Sequence, residues 1–406
     1  MDYNISKILL YAQDNKGLGH INRTLIIVRH ILAAHQNMVA YIVSKSPIST
    51  NFTLPERCDY IKLPTCLNPR DLQTEHEIEA AKQHFRALRS QLLLDTALGI
   101  APDLVLVDHE PLGFAGEFRE GLYALKAYYP STRFVFGLRD IMDDPACVRA
   151  QWQEQGVYDA FENLYDGIAV YGCPELYDVA DAYSIPPSAR PKLHYCGYIV
   201  RDKPPLDSAT VRRQYGVPQD ARLLLATVGG GSDGYPVLDA VLKSLELLKT
   251  DFPGLCAVLV TGPFMPPREQ AMLQAQATRT CRVLTVADTF QLMVAADAIV
   301  SMGGYNSICE ALAVPRPLVI VPRATRKIEQ KIRAEILETL GLARCLTPEN
   351  LASSDLAWAI AWALLRPPLA HAAHVHQIIP SFNGAEQLTS YLSPWLAKYD
   401  RDVGVR

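Results

Sequence analysis

The sequence predicts an α/β protein built from two successive, doubly wound, Rossmann-like domains. Three observations carry that reading. Short apolar runs that read as buried strands alternate with amphipathic helical stretches along most of the chain, the pattern of a parallel sheet covered on both faces. The alternation pauses once, where charge and proline cluster at Arg201-Asp202-Lys203-Pro204-Pro205, and then restarts. Glycine-rich turns follow strands at corresponding places in the two halves. A chain of 406 residues is long enough for two cores.

In the first half, Ile8 to Ala12 reads as a strand. A polar loop from Gln13 to Gly19 follows it, and then a helix with Ile21, Leu25, Val28 and Leu32 on one face. Strands are expected at Met38 to Val43, Leu104 to Asp108, Phe134 to Leu138 and Gly167 to Tyr171. A helix is expected from about His76 to Leu94, and another opening at Pro174. The second half gives strands at Leu223 to Val228, Cys256 to Thr261, Arg282 to Val286, Ala298 to Ser301 and Leu318 to Val321. A last helix is expected within Ser381 to Lys398. The expected division is 1–200, 201–380 and a C-terminal helical segment, 381–406, that packs back toward the first domain. Doubly wound sheets bind ligands at the carboxyl ends of their strands, which predicts a site in a cleft between the two domains.

Composition excludes several classes. Hydrophobic residues make up 49% and charged residues 20%, with a net charge of −4, so nothing in the charge balance calls for nucleic acid. No apolar run reaches membrane-spanning length, and Asp2, Asn4 and Lys7 interrupt any signal-peptide pattern. Nine cysteines lie singly with no C-x-x-C, which suits reduced thiols in a cytoplasm better than a disulfide framework or a zinc site. No metal-binding motif, P-loop or G-x-S-x-G element occurs.

The segment Val300 to Leu312 is the strongest candidate for ligand binding. Gly303 and Gly304 follow a strand and precede a helix start, where unpaired N–H groups and the helix dipole suit a phosphate. Asn306 and Ser307 add donors in the first turn, and Glu310 lies one turn on, able to hold two ribose hydroxyls. The run Gly229-Gly230-Gly231-Ser232-Asp233-Gly234 contains G-x-G-x-x-G after the first strand of the second half. The next strand closes with Thr261-Gly262-Pro263 and lacks the acid a nicotinamide site needs. The first half fails the same test, because its second strand runs into Ser44-Lys45. What remains is a donor-rich loop for a phosphate or a sugar, with a plain tight turn as the alternative.

Gly17-Leu18-Gly19-His20 occupies the matching place in the first half. At a helix N-terminus the dipole disfavours the imidazolium, leaving His20 neutral and fit to act as a general base. Asp108 and Asp140 each close a strand of the same sheet, and either can orient the ring. His109 and Glu110 compete for the base role, and Arg139 lies beside Asp140 on the acceptor side. Glu329-Gln330 offers an acid–amide pair for sugar hydroxyls. The basic run Arg323, Arg326, Lys327, Lys331 and Arg333 beside it reads mainly as a solvated face, with Glu329 and Arg333 paired at i, i+4. Arg201, at the domain boundary, is the arginine expected to reach a diphosphate.

Together these motifs resemble the GT-B glycosyltransferases of family 28, of the MurG type. They are Gly-x-Gly-His early in the chain, Gly-Gly-x-Ser-x-Gly after the first strand of the second domain, Gly-Gly-x-x-Ser-x-x-Glu, and an acid–Gln pair. The resemblance spans most of the chain in architecture and is specific in the second domain and at the first glycine loop. It implies a GT-B fold with an N-terminal acceptor domain and a C-terminal nucleotide-sugar domain. It implies His20 as base, Gly19, Gly230, Gly231, Ser232 and Arg201 at donor phosphate, and Gly303, Gly304, Asn306 and Ser307 as the diphosphate loop. Glu310 would be the ribose ligand, and Glu329 and Gln330 would contact the sugar, with glutamate standing where relatives often carry aspartate. Retaining GT-B enzymes carry a glutamate eight residues before the ribose-binding one. Met302 stands there, which favours inversion.

The expected activity is an inverting, metal-independent hexosyl transfer from a UDP-sugar to an acceptor hydroxyl, with no cofactor. The acceptor is a small molecule, a glycan or a lipid-linked compound, and the expected location is the cytoplasm, with peripheral membrane contact left open. A non-hydrolysing UDP-sugar 2-epimerase and an inactive sugar-nucleotide-binding subunit are the rival readings.

Overall fold

The computed structural model describes residues 5–12, 19–46, 53–65, 74–202, 206–323 and 328–396, without the side chain of residue 350. The chain divides into two compact units. One comprises residues 1–140, 145–199 and 383–406, and the other 141–144 and 200–382.

The first unit is built on seven strands: β1 (Ser6–Ala12), β2 (Met38–Ser44), β3 (Cys58–Lys62), β4 (Leu104–Asp108), β5 (Arg133–Arg139), β6 (Gly167–Tyr171) and β7 (Leu193–Tyr195). They form one sheet in the order β3-β2-β1-β4-β5-β6-β7, and every pairing is parallel. Continuous burial of β4 and β6 follows from cover on both faces. Helix Gly19–Ala34 buries Ile21, Leu25, Val28 and Leu32, the face the spacing predicts. Helix Gly384–Leu396 also belongs to this unit, where His35, directly after helix Gly19–Ala34, brings its Nε2 within 3.0 Å of Ser393 Oγ. Tyr391 stacks on His194 with ring centroids 4.2 Å apart.

The second unit has six strands: β8 (Leu223–Thr227), β9 (Cys256–Val260), β10 (Cys281–Leu284), β11 (Ala298–Ser301), β12 (Leu318–Ile320) and β13 (Ala343–Cys345). Their order is β10-β9-β8-β11-β12-β13, again all parallel. Its core joins the strand residues Leu224, Ala226, Leu259 and Val300 to Leu238 and Val241 of helix Tyr235–Leu248 and Ile360 of helix Ser353–Leu365.

Some elements depart from the sequence pattern. Pro174 opens a turn rather than a helix, and the helix that follows is the four-residue Val179–Ala182, capped by Asp178. The helix expected at His76 starts at Glu75 and runs to Ile100. It starts where a Thr74/Glu77 capping box satisfies its first N–H groups. β10 ends at Leu284 because Val286 is exposed and has no core to enter. β3, β7 and β13 carry no apolar run that would announce them. β3 is a partly exposed edge, and the other two are three residues long. Of the segments singled out above, Gln13 to Leu18, Lys203 to Pro205, Arg326-Lys327 and the chain beyond Leu396 lie outside the described residues. Among the described residues no helix is long and apolar enough to cross a membrane.

Candidate active site

In each unit the strand order reverses beside the first strand, between β1 and β4 and again between β8 and β11. These switch points are where doubly wound sheets open a crevice at their carboxyl ends. The end of β4 at Asp108 and the Gly229–Gly234 and Gly303-Gly304 loops stand at these switch points, while Arg139-Asp140 and Glu329-Gln330 follow β5 and β12, one strand further out.

In the first unit, His20 stands in the first turn of helix Gly19–Ala34 and Asp108 ends β4. His20 Nδ1 lies 2.7 Å from Asp108 Oδ2, so Asp108 rather than Asp140 is the carboxylate paired with the ring. Asp140 Oδ2 accepts from Tyr198 Oη at 2.8 Å, and its backbone carbonyl accepts from Tyr183 Oη. A carboxylate at that distance fixes the proton on Nδ1 and leaves the lone pair on Nε2. The His20 side chain is 18% exposed and that of Asp108 only 4%.

The pair has a third member, Arg23. It is 2% exposed, and its Nε and Nη2 donate to Asp108 Oδ1 at 3.2 and 2.9 Å while Nη2 also reaches Oδ2 at 2.7 Å. Its guanidinium packs 5.3 Å from the centre of the Tyr171 ring. Burial is the main force holding the His20 imidazolium down, to a pKa of about 4. Asp108 opposes that shift, and Arg23 and Arg139 reinforce it. Desolvation thus does most of what the sequence reading assigned to the helix dipole. Asp108 sits at about 2 because Arg23 and His20 outweigh the cost of its burial. His109 packs its ring 4.6 Å from that of His20 and adopts a positive φ of 71°, while Glu110 is half-buried just beyond it. Arg139 is buried at the end of β5.

Arg23 is the residue the sequence reading missed. The only signal for it was an arginine three residues after His20, inside a stretch whose neighbours are mostly apolar.

In the second unit, the Gly229–Gly234 loop follows β8 and Gly303-Gly304 follows β11, the strand paired with β8. Gly231 has a φ of +88°, and a Cβ there would lie 1.9 Å from the Thr261 carbonyl oxygen. A Cβ on Gly262 would lie 2.3 Å from Gly229 O, and Phe264 N donates to Gly230 O at 2.8 Å. The closest approach these glycines serve is therefore between two backbones. Ser232 is exposed, beside Asp233.

Gly303 has a φ of +81°, and Gly304 is the N-cap of helix Tyr305–Ala313. No side chain caps that helix, and a Cβ on Gly304 would meet nothing within 4 Å. Asn306 and Ser307 lie half-buried in the first turn of that helix, whose dipole is positive at this end.

The Glu329-Gln330 segment joins the same cluster. Gln330 Oε1 accepts from Arg323 N at 3.1 Å, and the Arg323 side chain grips Asp233 at 2.9 and 2.5 Å, tying this segment to the β8 loop. Arg333 corrects the sequence reading. It is not solvated but 3% exposed, with Nη1 donating to Gly303 O at 2.9 Å, because a buried carbonyl at the glycine turn needs a donor. The exposed i, i+4 pair on this helix is Lys331 with Glu335, at 3.9 Å.

Arg201 and Glu310 meet directly, Nε to Oε1 at 2.6 Å. Arg201 Nη2 also reaches Asp288 Oδ1 at 3.2 Å, and the guanidinium lies 5.4 Å from the centre of the Phe290 ring. Burial raises the Glu310 carboxyl, and Arg201 pulls it back toward ionisation. Among the described residues nothing accepts from Arg201 Nη1. Nor do any three His, Cys, Asp or Glu side chains there converge to hold a metal ion.

Comparison with known proteins agrees with this layout. Residues 225–380 match the glycosyltransferase family 28 C-terminal domain. An uncharacterized glycosyltransferase of Methanosarcina acetivorans is 27% identical over 349 residues, which cover 84% of this chain and 86% of the relative. The glycotransferase of kitacinnamycin superposes with a TM-score of 0.68 at 16% identity, covering 97% of this chain and 99% of that one. Phytolacca americana UGT2, solved with UDP-2-fluoro-glucose and pterostilbene, gives 0.66 at 13% identity, covering 97% and 100%.

Two parallel doubly wound sheets with these structural neighbours make the fold GT-B. With residues 225–380 matching the family 28 C-terminal domain, the chain is a glycosyltransferase of GT-B fold that resembles family 28.

Proposed function

We propose that the chain transfers a sugar from a UDP-sugar to an acceptor hydroxyl with inversion and without a metal ion. The observation that carries this reading is the Arg23–Asp108–His20 arrangement, which leaves the Nε2 lone pair of a neutral imidazole as a base. The acceptor O–H proton passes to Nε2 while the oxygen bonds to the anomeric carbon from the face opposite the leaving group. The bond from that carbon to the β-phosphate oxygen breaks, its electrons go to the phosphate, and UDP departs. Single displacement inverts the anomeric centre.

The leaving diphosphate is met by the uncapped start of helix Tyr305–Ala313 and by Arg201 Nη1, and Glu310 Oε2 takes the ribose hydroxyls. Glu329 and the Gln330 amide face the sugar. UDP as the nucleotide is supported by the UDP-2-fluoro-glucose bound to the Phytolacca americana neighbour. The reading includes a cytoplasmic location, with peripheral membrane contact where the acceptor is lipid-linked.

A panel of nucleotide sugars tests it. The cognate donor raises the unfolding temperature by mass action and is slowly hydrolysed by the enzyme. A panel in which no UDP-sugar stabilises the chain overturns the donor assignment. Conversion of UDP-N-acetylglucosamine alone into its 2-epimer, read by NMR, replaces transfer with epimerisation.

A further inference from the structure

Helix Ser353–Leu365 carries features that the donor site and the reaction do not use. Trp358, Trp362 and Leu365 recur on one of its faces, and Pro367-Pro368 then turn the chain into helix Pro368–Ile378. Trp358 is 59% exposed, Leu365 67% and Leu369 88%. Single exposed apolar side chains are ordinary, but three this large between residues 358 and 369 mark a contact surface. Two arginines sit among the rings. Arg344 is on β13, the edge strand of its sheet, with its guanidinium 5.1 Å from the centre of the Trp358 ring and 5.0 Å from that of Trp362. The Arg366 guanidinium lies 4.7 Å from the centre of the Trp362 ring.

Neither arginine is well paired. Arg344 Nε is buried without a hydrogen-bond partner, and its Nη1 stands 4.0 Å from Glu338 Oε1, which already accepts from Cys345 N at 3.0 Å. Among the described residues nothing accepts a hydrogen bond from the Arg366 side chain. From residue 356 to residue 385 the chain has no acid and no lysine, and Arg366 is its single arginine. Burial and Arg344 both push the Arg366 guanidinium down, so two cations repel each other where only Glu338, at the limit of an ion pair, offsets them. A cavity of about 370 Å³ opens beside Arg366, lined also by Trp362, Leu365, Pro367, Ala370 and His371. Burial and Arg366 hold His371 at about 4, so at neutral pH the guanidinium is the only charge on that wall. Arg222, which leads into β8, donates to Leu364 O. The C-terminal end of helix Ser353–Leu365 therefore lies at the opposite end of the sheet from the glycine loops that follow β8 and β11.

We infer that this face docks on an anionic bilayer surface, with Trp358, Leu365 and Leu369 entering the boundary between headgroups and acyl chains and Arg344 and Arg366 taking lipid phosphates. Charge complementarity selects that occupant. A bilayer is apolar within and anionic at its rim, tryptophan favours that depth, and an arginine can lie along a ring while its head reaches a phosphate. A second copy of the chain would set the same two arginines against themselves. The inference deepens the reading above by placing the membrane contact which that reading includes, and it depends on neither the donor nor the acceptor. With the glycine loops at the far end of the sheet, a docked chain keeps them clear of the lipid.

The test is sedimentation of the full chain with vesicles of phosphatidylcholine alone and of phosphatidylcholine with an equal part of phosphatidylglycerol. Binding to the anionic vesicles is expected, with little to the neutral ones and a loss as salt rises. Leu369→Asp should weaken it about tenfold or more, and Arg366→Gln about fivefold. Leu247→Asp makes the same change at a side chain 55% exposed on helix Tyr235–Leu248, and should leave binding unchanged. Both leucines have little packing to lose, and unfolding curves of the variants separate loss of binding from loss of fold. Equal binding to the two kinds of vesicle, or none to either, overturns the inference, as does a Leu369→Asp chain that binds no worse than Leu247→Asp. A dimer in light scattering that Leu369→Asp dissolves, without vesicle binding, would give the face to a second copy instead. The vesicles carry no sugar nucleotide, so a chain that binds them but is stabilised by no UDP-sugar would keep this contact and lose the donor reading.

Discussion

Asp108 binds His20 and Arg23 with the same carboxylate, its Oδ2 lying 2.7 Å from both His20 Nδ1 and Arg23 Nη2. Arg23 Nη2 is also 3.0 Å from His20 Nδ1, so a fixed cation stands beside the ring that must stay neutral. The base and a cation that adds to burial in suppressing its protonation share one anchor.

Removing the base should therefore separate chemistry from binding. His20→Ala is expected to lower turnover on the order of 10²–10⁴-fold, with UDP affinity unchanged. Single-turnover transfer alongside calorimetric UDP binding reads both, and near-normal transfer by the variant would remove His20 from the base role.

The pH profile should carry the signature of a depressed imidazole. Because His20 titrates at about 4 rather than 6.5, activity should hold as pH falls through 6.5 and decline only near 4. The same shift makes the fold acid-sensitive. The unfolded chain takes up the His20 proton first, so stability present above pH 6.5 is lost as pH falls from 6.5 toward 4. Asp108, depressed to about 2, extends that loss below its ordinary 3.8. An acid limb centred at 6.5 in kcat/KM would contradict the assignment.

Arg23 is a positioning residue, and its removal should move that limb. In Arg23→Met the repulsion on the imidazolium disappears, so the acid limb of kcat/KM should rise in pH and kcat should fall. Arg23→Lys should restore part of both. A variant with lower stability and an unmoved limb would make Arg23 a packing residue only.

On the donor side, Glu310→Gln is expected to weaken UDP binding about tenfold or more while binding 2′-deoxy-UDP nearly as the parent does. Arg201→Ala leaves Glu310 without its ion pair and should destabilise the fold by about 1 kcal/mol, since solvent screens the half-exposed arginine. Equal losses for UDP and its 2′-deoxy analogue would take Glu310 off the ribose.

The two glycine loops make a stability prediction. Gly229→Ala has open space but a φ of +62°, and should cost about 1–2 kcal/mol. Gly231→Ala meets the Thr261 carbonyl and should cost more than about 3 kcal/mol, measured by denaturant unfolding.

The sequence pattern carried the fold because each central strand is a buried apolar run between glycine-marked turns and amphipathic helices. The strands it missed, β3, β7 and β13, are sheet edges without a continuous buried apolar run, and their register depends on neighbours rather than on their own composition. His20, Asp108, Glu310 and the glycine loops were legible because they sit at the ends of recognisable elements. Arg23 and Arg333 were not, because a charge on a helix reads as solvated until its acceptor, Asp108 or Gly303 O, is placed by another part of the chain.

The interlocked backbones at Gly231 and Gly262 carry a consequence for exchanging parts between relatives. The turn after β8 cannot be transplanted alone, since its shape is moulded on the turn after β9. A chimera that aims to import another enzyme's donor preference should take residues 228–234 and 261–264 as one cassette. Recombination that splits them would give chains that fail to mature before their specificity could be assayed.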